Sequence, residues 1–167
     1  MIKAKIMLLG DIGVGKTSIA RRLVFDRFEA DYKTTIGVDI QSCTVAADAD
    51  TGIEETQLIL WDTDGDFGSS IFTSVYIKGA AGAVIVADLT RPPTIEKLRH
   101  LAERFLTDFP GRPCMLVLNK TDLVGPEGGH TAVEGIPADH VFAASAKSGS
   151  GVREVFVQIA KELAFRR

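Results

Sequence analysis

The chain has 167 residues, with 19 Lys plus Arg against 22 Asp plus Glu, a net charge of -3 and 46% hydrophobic residues. That length predicts a single domain spanning residues 1–167, and the composition excludes a disordered or collagen-like chain and a field-driven affinity for nucleic acid or anionic membrane. Cys43 and Cys114 both fall in apolar strand-like runs, which fits buried thiols in a reducing compartment, and no apolar stretch is long enough for a membrane span or a signal peptide, so a cytoplasmic protein is expected.

In chain order, residues 5–9 form an apolar run that predicts a strand, followed by a glycine-rich loop and an amphipathic helix over residues 16–25. Residues 38–45 and 57–61 predict two further strands, joined by the polar segment Asp48-Ala49-Asp50-Thr51-Gly52, which suits an antiparallel turn. A helix is expected over roughly residues 67–76, a strand over 83–87, a helix over 94–106 and a strand over 114–118. Glycine and proline between residues 124 and 139 argue for a loop or one short helical turn. A sixth strand is expected over residues 140–144. In the closing helix, over 152–165, Val152, Val155, Phe156, Ile159, Ala160 and Leu163 share one face. Alternating strands and helices define an α/β fold with a mixed, mostly parallel six-stranded sheet.

Gly10-Asp11-Ile12-Gly13-Val14-Gly15-Lys16-Thr17 fits the pattern G-x-x-x-x-G-K-[ST] between a strand and a helix. The glycines let consecutive N–H groups converge on an anion, and the helix N-terminus adds its positive end. Lys16 supplies countercharge for β- and γ-phosphates, and the Thr17 hydroxyl offers a hard oxygen to Mg²⁺. A glycine-rich turn that binds nothing is the competing reading, but folding alone gives no reason for a lysine aimed into that turn.

The choice of base falls elsewhere. Asn119-Lys120-Thr121-Asp122 follows a predicted strand, which places it at the carboxyl edge of the sheet where ligands bind. A carboxylate at Asp122 accepts two hydrogen bonds and donates none, matching the N1–H and exocyclic amine of guanine and not adenine. Ser145-Ala146-Lys147, after the next strand, offers backbone N–H groups to the guanine carbonyl. Asn-Lys-x-Asp by itself also reads as a polar turn; its weight comes from the order of all three sites.

These motifs, together with Tyr32-Lys33-Thr34-Thr35-Ile36-Gly37-Val38-Asp39 and Trp61-Asp62-Thr63-Asp64-Gly65, resemble the Ras-like small GTPases, and the Rab branch most closely, over essentially the whole chain. The resemblance implies a P-loop NTPase G domain with about five helices around the sheet, binding GTP and GDP with Mg²⁺. It implies nucleotide contacts from Gly13, Val14, Gly15, Lys16, Thr17, Ser18, Phe28, Asn119, Lys120, Asp122, Ser145, Ala146 and Lys147. Thr17, Thr35 and Asp62 would serve the metal, and Lys16, Thr35, Gly65 and Asp66 the hydrolytic end. By the same resemblance, Phe28 packs on the guanine edge and the Gly65 N–H grips the γ-phosphate, so losing that phosphate releases two loops together. Effectors and regulators would read the loops over residues 35–40 and 61–76. Within these, Ile40, Trp61 and Tyr76 map to an apolar triad, which reads equally well as ordinary packing.

The sequence also departs from that family. Asp66 stands where a water-positioning glutamine is usual, Phe67 replaces a glutamate, Asp64 replaces a small residue, and Ile12 occupies a crest position usually held by Gly or a small polar residue. No cysteine lies near residue 167 and Met1-Ile2 excludes N-myristoylation, so no direct membrane anchor is expected. Asp62, Asp64 and Asp66 alternate as in a calcium loop, but Phe67 and Thr73 stand where Gly and Glu are required. His100, His130 and His140 lack ligand spacing. Two functions follow: a guanine-nucleotide switch that hydrolyses GTP slowly, or a nucleotide-binding scaffolding module with negligible hydrolysis, which Asp66 and Ile12 favour.

Overall fold

A computed structural model describes residues 1–29, 35–125 and 132–166. Its centre is a six-stranded sheet formed by β1 (Ile2–Gly10), β2 (Val38–Val45), β3 (Thr56–Thr63), β4 (Gly82–Asp88), β5 (Cys114–Asn119) and β6 (Val141–Ala143), in the order β2-β3-β1-β4-β5-β6. Only β2 runs antiparallel to its neighbour, with Val38 opposite Thr63 and Val45 opposite Thr56. A mixed, mostly parallel sheet was the expectation, and this is the one reversal it required. Beyond β2, Asp48 and Ile53 exchange backbone hydrogen bonds of 2.9 and 3.1 Å, closing the turn where the polar segment placed it.

Alternation in the strands explains the two cores. Ile6, Leu8, Leu58, Leu60, Val84 and Val86 face one side, against α1 (Lys16–Phe25) and α3 (Val152–Phe165). Met7, Leu9, Ala83, Ile85, Leu116 and Leu118 face the other, against α2 (Pro92–Asp108). Successive side chains of a strand point to opposite faces, so near-continuous apolar runs such as Gly82–Asp88 mark strands covered on both sides.

The helix expected over residues 67–76 is instead two 3₁₀ segments, Gly65–Thr73 and Val75–Ile77, with a kink at Gly68. Gly68, Ser69 and Ser70 are poor helix formers, while Ile71, Phe72 and Ile77 gain more by burial in the α2-side core. Among the described residues the sheet is therefore flanked by three α-helices and these 3₁₀ segments. Helix α2 begins two residues earlier than predicted, because Pro92 and Pro93 occupy its first turn, where a missing N–H costs nothing. Residues 138–140 form a 3₁₀ turn, which shortens β6. Cys114 is buried as expected, whereas Cys43 on the β2 edge is only half-buried; both thiols are free. The expected loop over residues 124–139, His130 and Tyr32-Lys33-Thr34 lie partly or wholly outside the described residues. No described helix is long and apolar enough to cross a membrane.

Candidate functional site

Every parallel strand ends at one edge of the sheet, and there the loop after β1 meets the ends of β3, β4, β5 and β6. The edge opens into a cavity of about 330 Å³. Gly13, Gly15, Lys16, Thr17, Ser18, Thr35 and Gly65 line one end, and Phe28, Asn119, Lys120, Asp122, Ala146 and Lys147 the other. Four of the expected site residues lie outside that lining, among them Asp62, which is buried and accepts a hydrogen bond from Thr17. Val14 is fully buried behind the loop, Ser145 is buried under Asp122, and Asp66 is exposed.

Lys16 is 6% exposed and donates 2.8 Å hydrogen bonds to the carbonyls of Gly10 and Asp11, arching over its own loop. Burial lowers its pKa to about 8, against the pull of Asp62, Asp11 and Asp64, so its charge is poorly compensated within the protein alone. An anion in the loop restores that compensation.

Beside it, the Thr17 hydroxyl lies 2.7 Å from the Thr35 hydroxyl and donates to Asp62 Oδ2 at 2.5 Å. Asp62 is 1% exposed, and its other oxygen, Oδ1, is buried with no hydrogen-bond partner among the described residues. Burial raises the Asp62 pKa, with the Thr17 hydrogen bond and Lys16 opposing. Three hard oxygens with one orphaned carboxylate atom form the donor set that a small divalent cation takes, so the residues present fit Mg²⁺. The described residues hold no cluster of three or more His, Cys, Asp or Glu suited to a metal.

The two ends of the cavity are bound to each other through Asn119. Its Nδ2 donates to the Val14 carbonyl at 3.0 Å and its Oδ1 accepts from the Ala146 N–H at 3.1 Å. Gly15 is required at this crossing, since a methyl group there would collide with the Asn119 amide. Lys120 adopts a left-handed backbone (φ 73°), which costs a residue with a Cβ roughly 1–2 kcal/mol. Its ammonium group offsets this by donating to the Gly13 carbonyl at 2.9 Å and to Asp88 Oδ2 at 2.7 Å. Asp122 accepts from the Ser145 hydroxyl at 2.8 Å, and that hydroxyl oxygen accepts from the Ser148 N–H at 3.0 Å.

On the other flank, Gly65 lies directly on the crest of the phosphate loop. A methyl group built on it falls 2.7 Å from the Ile12 Cα and 2.8 Å from the Asp11 carbonyl carbon. Asp64 caps the 3₁₀ segment by accepting from the Asp66 N–H at 2.9 Å, and its own N–H donates to the Gly37 carbonyl at 2.8 Å, joining the two loops. Ile40 pairs with Trp61 across β2 and β3, Lys5 Nζ sits 3.6 Å over the Trp61 ring, and Tyr76 meets Phe67 edge-on at 5.7 Å. Ile36, Ile40 and Val75 are among the most exposed apolar side chains described.

Sequence reasoning missed Asp88 and Arg91. Asp88, fully buried at the end of β4, accepts from Lys120 and from the Thr90 N–H and hydroxyl, while Arg91 donates to the Ile12 carbonyl at 2.8 Å. An acidic residue closing a wholly apolar strand at the ligand edge was the available signal for Asp88; nothing local marks Arg91.

A nucleotide-sized cavity with a lysine-bearing phosphate loop at one end and Asn-Lys-x-Asp at the other defines a guanine-nucleotide-binding G domain. The Ras family model matches residues 5–165, and the chain belongs to that family, whose members are GTP-binding molecular switches and GTP hydrolases. Relatives matched over nearly its whole length are Rab proteins. Ras-related protein RABF2a of Arabidopsis thaliana is 32% identical over 169 residues, covering 97% of this chain and 82% of that protein. Ras-related protein SEC4 of Saccharomyces cerevisiae is 33% identical over 165 residues, covering 94% and 73%. Ras-related protein Rab-1 of Theileria annulata is 34% identical over 170 residues, covering 95% and 73%.

Proposed function

We propose that this chain is a Rab-like switch that holds GTP or GDP with Mg²⁺ in the cavity at the sheet edge, hydrolyses GTP slowly, and presents the loops around Thr35 and Gly65 to effectors and regulators. The observation that carries the reading is that one cavity is lined both by Lys16 and Thr17 and by Asn119 and Asp122. Thr17 and Thr35 would hold the cation directly, with Asp62 behind them, and when bound it neutralises charge on the β- and γ-phosphate oxygens. Lys16 and the loop N–H groups bind phosphate, Asp122 and the Ala146-Lys147 backbone select guanine, and Phe28 closes the base slot. Thr35 and Gly65 serve the triphosphate alone, so they convert the presence of one phosphate into the position of two loops.

Guanine nucleotides are expected to displace a fluorescent GTP analogue at concentrations at least a hundredfold below adenine nucleotides, because adenine faces Asp122 with a lone pair at N1 in place of a donor, at a cost of roughly 3 kcal/mol. Asp122→Asn moves the preference toward xanthine nucleotides, whose 2-oxo group needs a donor. Equal displacement by ATP and GTP overturns the assignment.

A further inference from the structure

Arg22 has no part in the phosphate loop or in the guanine motif, yet it is attached to the latter from behind. It lies on α1, its side chain is 16% exposed, and its guanidinium is turned toward the loop after β6. Nε donates to the Ala146 carbonyl at 2.9 Å and Nη2 to the Lys147 carbonyl at 2.5 Å. The third nitrogen, Nη1, meets the exposed carboxylate of Asp26 at 3.3 Å. Gly149 lies alongside the stem, where a methyl group would stand 3.5 Å from Arg22 Cδ.

Two adjacent carbonyls held by one rigid fork fix two peptide planes, because a trans peptide sends its N–H opposite to its C=O. With the Ala146 carbonyl turned to Arg22, the N–H of Lys147 is turned away from it. With the Lys147 carbonyl turned to Arg22, the N–H of Ser148 points the other way, where it donates to Ser145 Oγ, the same hydroxyl that donates to Asp122. One side chain thus sets the loop that offers N–H groups to the base and, through Ser148 and Ser145, the carboxylate that reads it.

We infer that Arg22 is a positioning residue for base recognition: it braces the Ala146-Lys147 backbone against α1, so that the helix that carries the phosphate loop also sets the grip on guanine and hence the rate of nucleotide release. The inference rests on the nucleotide reading above. It is specific to the base end, since Arg22 makes none of its hydrogen bonds to the phosphate loop or to Thr17, Thr35 and Asp62.

The test measures release of a fluorescent GDP analogue from the wild type, Arg22→Ala, Arg22→Lys and Asp26→Asn, with amide hydrogen exchange on each GDP complex. Arg22→Ala is expected to release GDP about ten- to a hundredfold faster, as loss of charge-assisted hydrogen bonds dictates. Arg22→Lys, which keeps the charge without the fork, falls between, and Asp26→Asn matches the wild type. Amides of residues 146–148 exchange faster in Arg22→Ala, while those of residues 13–17 do not. Unchanged release in Arg22→Ala, equal acceleration by Asp26→Asn, or a matching rise in exchange at both loops overturns the inference. A wild type that holds no guanine nucleotide overturns the nucleotide reading and this role with it.

Discussion

Asp66 carries a carboxylate with acceptor oxygens and no donor. It cannot accept from an attacking water while donating toward a γ-phosphate, as an amide does, and its charge opposes that of the phosphate. Its side chain stands outside the cavity lining, while Ile12 lines the cavity beside Gly65, and on the proposed reading its β-branched side chain would take up space that an activator's arginine needs. Single-turnover hydrolysis by the wild type is therefore expected to be slow. Asp66→Gln, alone and with Ile12→Gly, is expected to raise it by about tenfold or more, the scale at which water positioning by a side chain contributes. A fast wild type that Asp66→Gln slows would make Asp66 the group that orients water and overturn this account.

Helices and strands meet at the site through charged groups that local pattern does not contain. Asp88 at the end of β4 reaches Lys120 beyond β5, and Lys120 reaches Gly13 beyond β1, so three strand ends are joined by one buried carboxylate. Burial pushes the Asp88 pKa up, but hydrogen bonds from Lys120 and Thr90 outweigh it and hold the carboxyl below its ordinary 3.8. A lowered folded pKa means that its contribution is fully present above 3.8 and is lost as pH falls through the folded value. Asp88→Asn is expected to be less stable than the wild type at pH 7 by about 1–3 kcal/mol in urea unfolding. The difference should shrink as pH drops below about 4, where the wild-type carboxyl takes up its proton; a difference constant from pH 7 to pH 3 contradicts the assignment. The same elements show what the sequence made legible. The bounds of α1, β2 and α3 followed from periodicity, and the phosphate and guanine motifs fell at the strand ends where topology puts ligands. Asp88 escaped because the strand was read only as far as its apolar residues, and its partner lies 32 positions away. A helix was expected over residues 67–76, but the geometry of that segment was decided by burial of Ile71 and Phe72 against α2, a tertiary effect that overrides local preference.

Across the whole molecule, the sheet divides a rigid half from a segment suited to move. Strands β1, β4 and β5 are covered on both faces, and Ile71, Phe72 and Ile77 anchor the later part of the 3₁₀ segment in the α2-side core. Ahead of that anchor lie exposed Asp66, Gly68, Ser69 and Ser70, attached at one end by the Gly65 contact with Ile12 and to Gly37 by the Asp64 N–H. Segments with few buried apolar contacts open at low free energy, whereas those in the core open only with global unfolding. Exchange of GDP for a non-hydrolysable GTP analogue is therefore expected to protect amides over residues 35–37 and 64–70 while leaving those of Ile71 and Phe72, and of β4 and β5, unchanged. Thr35→Ala removes a hydroxyl that meets Thr17 at 2.7 Å and that, on the proposed reading, would serve only the triphosphate state. It should bind GDP as the wild type does and lose most of the GTP-dependent protection at both segments, because Asp64 couples them. Lys16→Ala, which on the proposed reading removes a group common to both nucleotide states, should instead weaken GDP and GTP alike. Protection that spreads through α2 and β4 would mean that the switch moves the core, and identical exchange in the two nucleotide states would mean that the chain binds nucleotide without switching.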